Sequence, residues 1–291
     1  MSITVNTNLQ ALRIQRNLTL ATDKMNTAME RMSSGSKINS AKDDAAGLAV
    51  STGLETTISS SQIASNNVKI GSNLLDTAEG TLNVITDNLQ RINDLVTEAA
   101  NGTYSDSDLE AISEEVAARV AEIKSLATST TFNDVRLFGD TAGAASTGIT
   151  FQVGTTSSDT INLDSSIFAA IDSTTLTGLD TLATTIYTSA SGGGATSAIS
   201  ALLDSVESMV STVVTRETKI GAAQNKLEAV ADGLDVQQTN LKAAKSTMMD
   251  ADVAKESADY VAAQILQSAS ATLLVQANSA PQIALTLIQG Q

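Results

Sequence analysis

Between Leu202 and Met248 an apolar residue returns at every seventh position: Val206, Val213, Ile220, Leu227, Leu234, Leu241 and Met248. A second set, Leu202, Met209, Ala223, Val230 and Ala244, runs four residues ahead of it, with Arg216 and Gln237 as its polar members. Such a repeat puts one apolar stripe along an α-helix, and only other helices can cover it. Upstream, Leu75, Ala78, Leu82, Ile85, Leu89, Ile92, Val96 and Ala99 alternate steps of three and four. Leu109, Ile112, Val116, Ile123 and Leu126 repeat the pattern around Arg119. The helices expected at 44–100, 106–129 and about 197–248 must therefore bury their stripes on one another. This dictates a mainly α fold, a long antiparallel coiled-coil bundle (a rod) built from the N- and C-terminal parts of the chain. A helix of roughly 50 residues is about 75 Å long.

Composition agrees with narrow seams rather than a globular core, since aromatics are 2 % of residues and Trp is absent. The formal net charge of −15 offers nucleic acid no basic face. Neither His nor Cys occurs, which removes disulfides, thiolate metal sites and the commonest nucleophile–base pairs. The protein is expected to be no enzyme and to hold no cofactor or metal. The first residues lack a basic stretch followed by an apolar one, so no cleaved signal peptide is expected. The apolar region Val261–Ile288 is cut repeatedly by Gln, Ser and Asn, so no membrane span is expected there.

Two polar interruptions stand about 40 residues from each end. In the first, between Ser33 and Asp44, Gly35 suits a helix C-cap, and Ser40, Asp43 or Asp44 suit the cap of the next helix. In the second, "MMDADVAKES", Asp250 and Asp252 suit the cap of a terminal helix. Asp250-Ala-Asp252 lacks the further oxygen ligands and distal Glu of a calcium loop. Lys42-Asp43-Asp44 has no nucleophile or His nearby for acid–base work. "NGTYSDSD", from Asn101, reads as a turn with Gly102 in a left-handed cap and Ser105 or Asp106 opening the next helix. "ITFQVGTTSSDTINLD" alternates as a β-hairpin, placed at about 132–170, and the Ser/Thr/Gly-rich stretch after it ends in a short loop at 185–197. The stripes at 4–33 (Ala11, Ile14, Leu18, Ala21, Met25, Ala28, Met32) and 253–288 are thin, so the ends are expected to fray alone and order on association. The expected division is 1–43 with 249–291 as terminal helices, and 44–184 with 198–248 as the rod.

"SSGSKINSAKDDAAGLAVS", "NLQRINDLVTEAANGT", "FQVG" and "STMMDADVAKES…QILQSASATLLVQANSAPQIALTLI" follow one another in the order found in bacterial flagellins, which this sequence resembles over about 1–185 and 197–288. The resemblance implies a structural subunit of the extracellular flagellar filament, a self-polymerising homopolymer that serves motility. It implies export unfolded through the flagellar type III apparatus with a chaperone, growth beneath a filament cap, and contact with hook–filament junction proteins. The terminal helices would line the tube, and the 185–197 loop would replace the variable outer domains of larger members. A hook–filament junction protein is the alternative, although those proteins tend to have Pro after the paired Asp where this sequence has Ala45-Ala46-Gly47. Gln90, Arg91, Leu95 and Glu115 match positions that flagellins use to engage an animal Toll-like receptor. Asn93 departs from the second Arg usual there, and the bland reading of Arg91 and Glu115 is a surface pair between helices.

Overall fold

The computed structural model describes residues 7–138, 148–171, 178–192 and 195–289, with side chains described over 7–138, 148–171, 178–188 and 198–279. Six helices, α1 (Leu9–Ser34), α2 (Ala45–Ala99), α3 (Asp106–Ser129), α4 (Leu182–Gly192), α5 (Ala195–Met249) and α6 (Val253–Gln289), account for most of them. Four short strands lie between α3 and α4: β1 (Thr131–Phe132), β2 (Val135–Arg136), β3 (Ile149–Gln152) and β4 (Thr160–Leu163). The fold divides into two compact units, residues 59–238 and residues 1–58 with 239–291.

In the unit 59–238 the heptad residues are the core. Leu82, Ile85 and Leu89 of α2, Val116 and Ile123 of α3, and Val213 and Ile220 of α5 are fully sealed, with Leu227 and Leu234 also buried. Leu241 departs from the expected seam and is only half-buried, and the buried polar residue is Gln238 rather than the Gln237 of the repeat. A straight helix drifts by about 20° per heptad from a 3.5-residue stripe, so the repeat loses its facing surface towards the helix end. Arg216 is buried, and its guanidinium donates to the Ala169 carbonyl at 2.7 Å.

Two antiparallel hairpins occupy the region where one was expected. β3 and β4 pair in register from Ile149↔Leu163 to Gln152↔Thr160, turning Ile161 and Leu163 inward. The extra hairpin, β1–β2, turns on Asn133 and Asp134, both with positive φ (49° and 64°). Two left-handed residues match the natural twist of a two-residue hairpin, and Asn and Asp tolerate that conformation. The loop expected at 185–197 is a correction. α4 and the start of α5 cover most of it, and residues 193–194 lie outside the described residues. Leu179, Leu182 and Ile186 form a sealed stripe that holds this segment, and Lys124 of α3 pairs with Asp180. The surrounding Ser and Thr hide that stripe in the sequence.

Gly102 is a second correction: it takes no left-handed conformation. α2 ends by tightening instead, with Asn101 N–H donating to Glu98 at 3.1 Å. At the start of α3 the Asp108 carboxylate accepts from the Ser105 N–H (3.0 Å) and Ser105 Oγ (2.6 Å), so Ser105 opens the helix rather than Asp106.

In the terminal unit α1 and α6 are formed and paired within one molecule, contrary to the expectation of fraying. The fully buried apolar residues of the pair are small, Ala21 and Ala28 of α1 and Ala263 and Ala277 of α6, with Ile14, Leu18, Met25 and Met32 only half-buried, so the helices pair with little apolar burial. The two compact units meet at 58/59 and 238/239, inside α2 and α5. The first turns of α2 and the last of α5 belong with the interruptions because Glu55 pairs with Lys245 and Lys37 N–H donates to the Met249 carbonyl.

Candidate assembly surface

The two interruptions are bonded to each other. Ser36 and Asp250 form an isolated antiparallel bridge, Lys37 N–H donates to Met249 O at 2.6 Å, and Ala251 N–H donates to Gly35 O at 2.9 Å. Gly35 has φ 68°, a left-handed position that ends α1 and that glycine occupies without strain. The acidic residues around it are spent on local backbone. Asp43 Oδ2 accepts from Asn39 N–H (3.2 Å), Ser40 N–H (2.9 Å) and Ser40 Oγ (3.0 Å). Those bonds, the Ser40 hydroxyl first, hold the Asp43 carboxyl below its ordinary range. Asp44 Oδ1 accepts from Gly47 N–H at 2.9 Å at the start of α2. Asp252 Oδ1 accepts from Ala254 and Lys255 N–H at 3.0 and 3.3 Å and opens α6, while Asp250 accepts from the Ser246 hydroxyl. Asp43, Asp44 and Asp252 thus cap backbone of their own turns, whereas Asp250, expected to help cap α6, takes the Ser246 hydroxyl of α5 instead.

These turns aim α1 and α6 along each other. Polar contacts set their register: Asn8 Nδ2 donates to Ala277 O (2.8 Å), Gln267 Nε2 to Thr22 Oγ1 (3.1 Å), and Arg31 lies 3.5 Å from the buried Glu256. Outside the buried alanines, large apolar side chains stand open among polar ones. Leu9, Leu12, Leu20 and Met29 of α1 face solvent, as do Val253, Val261, Ile265, Leu266, Leu273 and Val275 of α6. Leu266 is 55 % exposed and Ile265 63 %, values that an isolated soluble helix pair does not favour over many neighbouring positions. A groove of about 450 Å³ runs between Leu20, Lys24 and Arg31 on one side and Asp259, Ala262 and Leu266 on the other. Val253, Val261, Ile265 and Leu273 lie on the thin 253–288 stripe read from the sequence, whereas Leu12, Leu20, Met29, Leu266 and Val275 were missed. The signal was present, since positions off the side set by Ala21 and Ala28, such as Leu12, Leu20 and Met29, face outward.

In the other unit Arg91 and Glu115 make a two-point ion pair, Nε–Oε1 2.9 Å and Nη2–Oε2 3.2 Å, between α2 and α3. The Arg91 guanidinium lowers the Glu115 pKa, chiefly through this hydrogen bonding. Gln90 is exposed beside Arg91, whereas Leu95 is buried in the seam at 2 % exposure and does not share their surface. Among the described residues no three metal-ligating side chains gather. One stretch of α5 is long and apolar enough by composition to cross a membrane, yet its heptad residues Val206, Val213 and Ile220 are core.

The two ends of the chain each match a region of one protein family. Residues 5–142 match the bacterial flagellin N-terminal helical region, and residues 203–288 match the C-terminal helical region. A flagellin of Halalkalibacterium halodurans is 34 % identical, covering 98 % of this chain and 99 % of that protein. The flagellin of Bacillus subtilis is 33 % identical over 98 % of this chain and 99 % of its own length. A solved Vibrio parahaemolyticus structure described as a flagellar hook-associated protein shares the fold at a TM-score of 0.61, with 18 % identity over 72 % of this chain and all of that one. Signature turns in family order, a sealed heptad bundle and relatives matched end to end lead to one conclusion: this chain belongs to the bacterial flagellin family.

Proposed function

We infer that the protein is the structural subunit of a bacterial flagellar filament outside the cell, polymerising with copies of itself through the outward faces of α1 and α6. The observation that carries this is the large apolar residues left open on both helices of a pair whose own seam uses alanine. A surface of that kind is covered in the working state, and identical copies supply matching stripes. The domain roles follow: terminal helices (about 1–43 and 249–291) build the inner tube, and the bundle (44–184 and 198–248) packs around it. A polypeptide whose ends gain most of their burial from neighbours also suits passage through a narrow type III channel in unfolded form, accompanied by a chaperone and placed under a cap. The corrected 185–197 segment stands where larger family members are expected to carry outer domains.

The test is electron microscopy of purified protein seeded with filament fragments. Continuous extension to thousands of copies supports the filament reading; a short ring that stops growing supports the hook–filament junction reading, which the fold likeness to a hook-associated protein keeps in view. Engagement of an animal Toll-like receptor is proposed for the Gln90, Arg91 and Glu115 surface, with Leu95 acting from below by packing. Receptor signalling by the wild type and its loss in Arg91→Ala would support that proposal, and equal signalling would overturn it.

A further inference from the structure

Asn101-Gly102 is the only Asn-Gly pair in the sequence, and it lies in the exposed turn that closes α2. The turn is held by Asn101 itself, whose N–H donates to Glu98 O and whose carbonyl accepts from Thr103 N–H at 2.8 Å and Tyr104 N–H at 3.5 Å. Among the described residues, nothing accepts the Gly102 N–H. With no side chain on residue 102 and an unengaged amide, that nitrogen is open to approach the Asn101 carboxamide. We propose that Asn101 is a self-modification site, converting spontaneously to aspartate and isoaspartate. In the first step the deprotonated Gly102 nitrogen bonds to Asn101 Cγ, the Cγ–Nδ2 bond breaks, and ammonia leaves, closing a five-membered imide. In the second, one water adds and opens the ring at either carbonyl. Opening at one carbonyl gives aspartate; opening at the other routes the backbone through the former side chain. Water is the only co-reactant, and no electrons are exchanged.

Two other sites in the same molecule provide internal contrast, because Asn39-Ser40 and Asn278-Ser279 also place a small residue after Asn. Ser40 N–H is bound to Asp43 Oδ2 at 2.9 Å and Asn39 is half-buried. Ser279 lies inside α6, where helical geometry fixes its amide. Both nitrogens must leave existing bonds before they can attack. The product at residue 101 places a carboxylate at the negative end of the α2 dipole, and the isoaspartyl form adds a backbone atom to the turn leading into α3.

The experiment incubates the full-length protein in mildly alkaline buffer and follows each site by peptide mass spectrometry. The expected result is a gain of about 1 Da at Asn101 well before Asn39 or Asn278, with isoaspartyl methyltransferase labelling the same peptide. Gly102→Ala is a clean control, since its Cβ would meet no atom within 4 Å and the backbone there is not left-handed. It should keep wild-type circular dichroism and slow the change by about ten-fold or more, because a β-carbon restricts the approach. Unfolding in urea should speed Asn39 and leave Asn101 nearly unchanged. Equal rates at the three sites in folded protein, or a wild-type rate in Gly102→Ala, would overturn the proposal.

Discussion

Leu227 and Leu266 are both leucines on long helices, yet one is 1 % exposed and the other 55 %. Burial of that kind sets what a substitution costs. Leu227→Ala should lose about 2–5 kcal/mol of bundle stability in denaturant titration, the range for a sealed leucine whose cavity stays open. Leu227→Asp should abolish the cooperative transition of the unit, because it puts an unpaired charge in the seam. Gln238→Leu should be neutral or stabilising in the same titration, since the Gln238 amide nitrogen is buried without a partner. Heptad residues were legible in the sequence because spacing alone decides which side of a helix they take. Leu95, set apart in the sequence with the receptor-matching residues, is buried in the seam instead. The side on which Leu266 ended was not legible, because it depends on which residues the partner helix presents, here Ala21 and Ala28.

Turns and caps belong to the scale of the element. Asp43, Asp108 and Glu115 are all held below their ordinary ionisation by hydrogen bonds, from Ser40, Ser105 and Arg91 respectively. Their folded values lie below their unfolded ones, so each contributes stability that is complete above the unfolded value near about 4 and lost as pH falls through the folded value. Thermal melts should therefore be flat above about pH 5 and decline progressively below it, with Asp108→Asn showing a shallower decline than wild type. In the β1–β2 turn, Asp134→Val should cost about 1–2 kcal/mol, because a β-branched side chain at φ 64° is strained, while Asp134→Gly should be tolerated. Gly35, Asp43, Asp44 and Asp252 could be read from the sequence because they act on their own turns, whereas Gly102 and Asp250 could not. α4 could not. Its stripe of Leu182 and Ile186 is short, and it is buried where α4 packs on α3.

At the scale of the molecule, the protein combines a unit with a sealed heptad core, although Ile63, Ile70 and Val236 stay exposed on it, with one whose buried apolar residues are few and mostly alanine. Two thin stripes were legible as insufficient for a self-contained core; that α1 and α6 nevertheless pair was not, because alanine seams score poorly as apolar patterns while permitting close approach. The account rests on the outward faces of that pair being the contact between copies. Seeded filament growth by wild type and by the Leu266→Asp, Leu273→Asp double variant, read by electron microscopy alongside circular dichroism melts of the monomers, tests it most directly. The account predicts that the variant melts like wild type, since both positions face solvent, and fails to extend the seeds. Extension of the seeds by the variant at the wild-type rate would contradict it.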